Sequence, residues 1–343
     1  MRVCLFRHSR VAPEGAGEAY PARDAAPNPE RKEFAAFALA RPYPAAMSLD
    51  VPRASLAEAR EMADWAASEG WQPGVGDIDA FYEADPDGYF VGTLDGQLAA
   101  MASVVTYSPG YAFAGFYIVR PDLRQQGLGH EIGDVVYRAM GFDNLIVGGD
   151  GVPAQVETYE GLGFVLAHWT DRWGGDAVGI SKALAADSDV LVQRLDMSGE
   201  MRERVHAFDT AHVPAPRPRF VDAWYAPHPD RHTLVVMDDG EIRGLASVRP
   251  AIPDGARIGP LFADDPQVAA ALLRACAEIS QPWLAERGGG DLYIDIPAPN
   301  AAAQSLAERA GLSPGFRCAR MYRGGMPDLP LGRIYGNTSF ELG

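Results

Sequence analysis

Lysine is nearly missing from this sequence: Lys32 and Lys182 are the only two, and arginine carries the rest of the positive charge. With the abundance of alanine, that choice reads as a GC-rich coding bias and not as chemistry. Positive charge as a whole is also short. Thirty Lys and Arg face 46 Asp and Glu, a formal net charge of -16, and no cluster of cations stands out. Affinity for a phosphate backbone needs such clusters, so a nucleic-acid partner is excluded and a cationic or neutral substrate suits the chain better. Cysteine is scarce as well. Cys4, Cys276 and Cys318 form no Cys-x-x-Cys pair and no metal-ligand spacing with histidine, so neither a disulfide framework nor a metal site is expected. Cys276 and Cys318 read as plain core residues. No stretch approaches the roughly 18 to 20 uninterrupted apolar residues of a membrane span, and no compact apolar segment with a cleavage site follows the N-terminus. The expectation is a cytoplasmic protein with no membrane partner.

What is present is length and apolar content. A chain of 343 residues, 47% of them apolar, is long enough for two globular domains with substantial cores. Residues 1–46 show no sustained period of 2 or 3.6 after a brief Val3–Phe6 run and read as a poorly ordered extension, with Met47 a candidate start. From Ser55 to Glu69, Leu56, Ala59, Met62, Ala63 and Ala66 recur at helical spacing, with Ser55 as N-cap and Gly70 as stop. Tyr89–Gly92 and Leu98–Tyr107 read as strands joined by Asp95-Gly96, a strong hairpin signal. Strand Ala112–Val119, helix Gly129–Met140, buried strand Leu145–Val147, helix Val156–Leu162 and strand Phe164–His168 follow. That order describes an α+β (α/β) domain with a mixed, mostly antiparallel central sheet flanked by helices.

The second half repeats the first. Phe90-Val91 before Asp95-Gly96 corresponds to Leu234-Val235 before Asp239-Gly240. Ala102-Ser103-Val104 corresponds to Ala246-Ser247-Val248, and Gly115 to Gly259, all at an offset of 144 residues. The shared offset points to a duplication, with the boundary near Ala186-Asp187-Ser188: domains at 47–186 and 187–343.

One motif carries chemistry. Arg124-Gln125-Gln126-Gly127-Leu128-Gly129 stands between a strand and a helix, where unpaired N–H groups and the positive end of a helix dipole suit a pyrophosphate. Gly127 and Gly129 let the backbone approach phosphate, and Arg120 and Arg124 add charge at the rim. Gly127, Gly129 and Gly133 are spaced G-x-G-x-x-x-G, which does not fit a dinucleotide fingerprint, and no Gly-Lys-Ser/Thr marks a P-loop. A plain glycine-containing helix entry remains the bland alternative.

Ile118-Val119-Arg120-Pro121 followed by Arg124 to Gly129 resembles the strand and Arg/Gln-x-x-Gly-x-Gly/Ala signature of the GNAT superfamily of N-acetyltransferases. Tyr159-Glu160-Gly161-Leu162-Gly163-Phe164 is similar to that superfamily's Tyr-x-x-x-Gly-Phe helix end, and the likeness covers about Leu49 to Leu184. The resemblance implies acetyl-CoA as cosubstrate, no metal, and direct attack of an amine on the thioester in a ternary complex. It places the pantetheine arm against the backbone of Ile118 and Val119 and the pyrophosphate on Arg124, Gln125, Gln126, Gly127, Leu128, Gly129 and His130. A backbone N–H of the strand would polarise the carbonyl. Tyr159 matches the tyrosine that protonates the departing thiolate, a role suited to a phenol of ordinary pKa about 10; a packed aromatic is the alternative. For the base, Glu69 and Asp150 are candidates beside a water relay, each with the alternative of a solvated surface acid. Tyr117 is also considered, and Trp71, Phe81 and Tyr82 are candidate acceptor walls or core residues.

Where the first half has its glycine loop, the second reads Phe262-Ala263-Asp264-Asp265-Pro266-Gln267, with acids in place of an anion cradle. Alanine stands in Ala307-Glu308-Arg309-Ala310-Gly311 where Tyr159 would align. The second half is therefore expected to be a degenerate GNAT-like domain in a tandem arrangement. Residues Arg333 to Leu342 are apolar and strand-like, expected to insert in a sheet, with the neighbouring domain's sheet one possibility. Asn300 reads as an N-cap. The expected activity is acetylation of a small-molecule amine by a monomer or homodimer. Protein or peptide acetylation, O-acetylation and a non-catalytic acyl-CoA sensor stand as alternatives.

Overall fold

Ser55 opens the first helix with a reciprocal cap: its side chain accepts from the Glu58 N–H, and the Glu58 carboxylate accepts from the Ser55 N–H at 2.8 Å. The helix, Leu56–Ser68, buries Ala59, Met62, Ala63 and Ala66, and Gly70 turns the chain out at φ 79°. The computed structural model describes residues 48–186 and 189–343. The extension at 1–46, the Met47 start and the boundary residues Asp187 and Ser188 lie outside the described residues.

A second helix, Asp77–Ala84, leads into β1 (Tyr89–Leu94) and β2 (Gln97–Ser108). Asp95 and Gly96 both have positive φ, 51° and 74°, as a two-residue I′ hairpin turn requires. β3 (Tyr111–Val119) runs antiparallel to β2; helix Leu128–Met140 crosses to β4 (Ile146–Gly151), parallel to β3; helix Val156–Gly161 leads to β5 (Val165–Gly175). The second half repeats this series. After β6 (Val192–Arg194) come helices Glu200–Thr210 and Pro218–Tyr225. Then follow β7 (His232–Asp238), β8 (Glu241–Pro250), β9 (Ala256–Ala263), helix Pro266–Glu286, β10 (Leu292–Pro297), helix Ala301–Arg309, β11 (Ser313–Arg323) and β12 (Ile334–Gly336). Its hairpin turns at Asp239 and Gly240 with φ 48° and 82°, the same conformation as the first. Asn300 is an N-cap, accepting from the Ala303 N–H at 3.0 Å.

The described strands form one sheet in the order β1-β2-β3-β4-β11-β5-β10-β9-β8-β7-β6, with β12 paired to β9. The halves exchange strands at its centre: β11, from the second half, lies between β4 and β5, and β5, from the first, lies between β11 and β10. Two strands of the first half, β4 and β5, run longer than periodicity suggested. β5 continues past His168 through Thr170, Asp171 and Arg172, polar residues buried because each finds a partner across the sheet. β4 continues through Gly148 and Gly149, because a Cβ at Gly148 would stand 2.8 Å from the Tyr111 hydroxyl and 2.9 Å from the Phe113 ring.

Alternation along β2 separates the two faces. Ala100, Ala102 and Val104 pack with Leu128, Ile132 and Val136 of the loop helix. Met101 and Val105 face the other way, into a core that holds Met62 and Phe81 of the first half with Phe220, Trp224 and Phe262 of the second. Phe81 stacks on Trp224 at 5.4 Å and on Phe220 at 6.0 Å. No helix among the described residues is long and apolar enough to cross a membrane.

Candidate active site

The first half's sheet parts at one place. The parallel ladder between β3 and β4 runs from Tyr111–Ile146 to Ala114–Gly149 and stops. There β3 bulges: Ser103 opposes Gly115 but Met101 opposes Ile118, and Phe116 takes φ 45°, an uncommon conformation for a bulky residue. Past the bulge, no described strand pairs with the β4-facing edge of Tyr117, Ile118 and Val119.

The glycine loop lies at the end of that open edge. Gln125 and Gly127 adopt left-handed φ of 64° and 90°, and helix Leu128–Met140 begins at Gly127 with no side chain capping it. Its first N–H groups are thereby left for an external acceptor. Leu128 is buried, Gln125, Gln126 and His130 are exposed, and the Gln126 amide donates to the Asp122 carbonyl at 3.1 Å. Arg124, exposed at the rim, turns toward the strand end. Its Nε donates to the Val119 carbonyl at 2.9 Å and its guanidinium pairs with Glu69 at the end of the first helix. Arg124 therefore ties loop, strand end and first helix together.

Tyr159 lies beneath β4, where a Cβ on Gly151 would stand 2.8 Å from its ring. Burial pushes its phenol up to about 12, with Cys318 a smaller contribution. Tyr117 lies against the loop helix, its hydroxyl 2.8 Å from where a Cβ on Gly129 would be. Its phenol is likewise raised, by burial first and by the nearby Tyr159 second. The structure thus brings Tyr117, Tyr159, Val119 and the loop to one face.

The remaining sequence candidates are elsewhere or engaged. Asp150 forms a bidentate pair with Arg320 at 2.7 and 2.8 Å, both side chains buried; burial raises its carboxyl against the pull of Arg320. Trp71 is half-buried, and its carbonyl accepts from Arg172 at 2.6 Å. The loop carrying it is held by further contacts: Arg257 to the Gln72 carbonyl at 3.1 Å and Arg249 to Asp77 at 2.7 Å. Tyr82 donates to the Ala54 carbonyl at 3.1 Å and tilts against Tyr89 on β1, at the outer edge of the sheet. Phe81 is core.

The second half offers an internal comparison. Its ladder between β9 and β10 also stops early, at Ile258–Ile294, and β9 also bulges. Here, however, the gap is filled. β12 pairs with β9 through Ile334–Phe262 and Gly336–Leu261, and the Asn337 N–H reaches the Asp295 carbonyl at 2.9 Å. At the helix start the Asp265 carboxylate accepts from the Gln267 and Val268 N–H groups at 2.9 and 3.0 Å. The strand-like segment Arg333–Leu342 therefore inserts first in the sheet of its own half.

From β12 the segment 337–342 stays buried and crosses to the first half. It passes so close to Gly259 and Gly115 that a Cβ would stand 2.4 Å from the Thr338 carbonyl oxygen at one and 1.9 Å from that of Glu341 at the other. The matching glycines and the terminal segment were each visible in the sequence; the close approach of one to the other was not. Among the described residues no group of three or more His, Cys, Asp or Glu is placed to hold a metal.

Residues 56–145 match the model of the acetyltransferase (GNAT) family, and residues 205–336 match that of an acetyltransferase (GNAT) domain. The holothin acyltransferase of Pseudoalteromonas sp. (strain SANK 73390) is 31% identical over 291 residues, covering 84% of this chain and 93% of the relative. Among solved structures, a proposed acetyltransferase from Pyrococcus horikoshii superposes with a TM-score of 0.67 at 18% identity, covering 86% of this chain and 96% of that one. A tandem GNAT protein from the clavulanic acid biosynthesis pathway has a TM-score of 0.56 at 12% identity over 82% of this chain and all of its own (100%). These structures share the fold of this chain.

Proposed function

Because the chain belongs to the GNAT acetyltransferase family, and is on that ground an acyltransferase, we propose that its first half, about residues 47–186, transfers an acetyl group from acetyl-CoA directly to the amine of a small molecule. The observation that carries this reading is the contrast between the two gaps. In the first half an open strand edge, an uncapped helix start and Tyr159 lie together; in the second the equivalent edge is paired by β12 and the helix start is capped by Asp265.

The residues of the first gap fit acetyl-CoA. The N–H groups at Gln125 to His130 suit its pyrophosphate, with Arg124 at the rim, and the free edge at Ile118 and Val119 suits the amide groups of its pantetheine arm. The acceptor amine attacks the thioester carbonyl, and an N–H of the β3 edge polarises that carbonyl. Tyr159, its phenol raised to about 12, keeps the proton it donates to the departing sulfur. The second half acts on the acceptor side, pinning the Trp71 loop through Arg249 and Arg257. Segment 337–342 covers the sheet at Gly115; the relative named for holothin favours a small-molecule acceptor.

The test is a panel of small amines with thiol release as the readout, alongside Tyr159→Phe. Turnover by the wild type, lost in the variant while acetyl-CoA binding is kept, is the expected result. Wild-type protein that binds acetyl-CoA and acetylates no amine would instead be an acyl-CoA sensor.

A further inference from the structure

The transfer proposed above needs a group to take a proton from the acceptor ammonium, and the carboxylates nominated from the sequence are engaged: Glu69 by Arg124, Asp150 by Arg320. We propose that Glu341, delivered to the first half by the segment that follows β12, is that proton acceptor. The inference rests on the transfer reading and adds a residue from the other half of the molecule to it.

Three observations place it there. The Glu341 carbonyl lies directly over Gly115, the residue before the Phe116 bulge, where β3 and β4 part. Its carboxylate reaches Arg257 on β9 and lies near Asp150 on β4, the strand that parts from β3. The side chain is 1% exposed, yet only one of its oxygens is occupied. Oε1 has a 3.3 Å contact with Arg257, whereas Oε2 has no hydrogen-bond partner among the described residues.

A buried acceptor left without a donor costs about 1–3 kcal/mol, more when charged, so an N–H of the acceptor amine would satisfy the free oxygen. Arg257 does not supply it, because Arg257 and Arg172 both converge on Asp295. The charged and titratable groups around Glu341 are Arg257 on β9, Asp295 on β10, Arg172 on β5, Asp150 on β4, and Cys318 and Arg320 on β11.

The protons balance. The ammonium gives one proton to Oε2, and the freed lone pair forms the C–N bond. The C–S bond breaks with its electron pair on sulfur, which takes the proton of Tyr159. The second nitrogen proton restores the phenol through water, and Glu341 returns its proton to solvent.

Glu341→Gln and Glu341→Asp, each checked for melting temperature and acetyl-CoA affinity, test the assignment on the full chain with an amine that the wild type acetylates. The Gln variant is expected to lose about 10²-fold or more in kcat at neutral pH. It should also lose the acidic limb of the kcat/KM profile while binding acetyl-CoA as the wild type does. The Asp variant should keep that limb and part of the rate. A Gln variant with wild-type kcat and an unchanged limb overturns the role of Glu341. So does an equal loss in both variants that tracks a fall in melting temperature. A wild type that acetylates nothing overturns the proposed function itself, a separate outcome.

Discussion

Tyr159 and His168 show how burial sets the behaviour of single side chains here. Tyr159 fits under β4 because Gly151 has no Cβ, and its phenol, raised to about 12, stays protonated through the whole neutral and mildly alkaline range. Tyr159→Phe is therefore expected to lower kcat by about 10²-fold or more with acetyl-CoA affinity unchanged. No alkaline limb from Tyr159 should appear below a pH of about 12. His168 moves the other way. Burial and, after it, Arg320 lower its imidazole to about 3, and its Nε2 has no partner among the described residues. Below about pH 6.5 the unfolded chain takes up a proton that the folded one refuses, so stability falls as pH drops from there toward about 3. The slope is at most about 1.4 kcal/mol per pH unit from this one group. His168→Gln removes it, and the drop in melting temperature between neutral and mildly acidic pH should shrink. Tyr159 was legible in the sequence because its motif is local. His168 and Glu341 were not, because each acquires its surroundings only when β11 and the segment after β12 arrive from far along the chain.

At the scale of the element, the gap between β3 and β4 depends on two glycines with different reasons. Gly127 holds φ 90° at the start of the loop helix, a conformation that costs an L-residue about 1–2 kcal/mol. Gly127→Ala should weaken acetyl-CoA binding, measured by calorimetry, with a smaller effect on melting temperature. Gly115 is required by contact alone: its Cβ would stand 1.9 Å from the Glu341 carbonyl oxygen. Gly115→Ala should displace the crossing segment, seen as faster proteolysis after Asn337 and a lower melting temperature; unchanged values for both would contradict the close approach. The hairpins could be read from Asp95-Gly96 and Asp239-Gly240 because a two-residue turn encodes itself. The full lengths of β4 and β5 could not. Glycines and paired charges, which individually argue against a strand, are accommodated there by rings and guanidinium groups on other strands.

For the whole molecule, the two halves differ in structure at their equivalent gaps. The exchange of β5 and β11 makes the halves one sheet, so each central strand relies on the other half to cover an edge that would otherwise be an exposed template for aggregation. Within that frame the second half has its own backbone where the first has an open edge, and a capping carboxylate where the first has a helix start without a side-chain cap. An anion approaching Gln267 and Val268 would meet the negative charge of Asp265 at their N–H groups, and an extended ligand would have to unpair β12 from β9. Titration calorimetry of the intact chain should therefore give one acetyl-CoA per chain, and that single site should weaken with Gly127→Ala. Asp265→Asn tests which obstacle matters more. It removes the charge and keeps a cap, yet β12 still fills the gap, so the stoichiometry should stay at one. A second binding event in the wild type would mean that β12 yields to ligand and that the halves share the chemistry. One event that persists unweakened in Gly127→Ala would place the site outside the first half's loop.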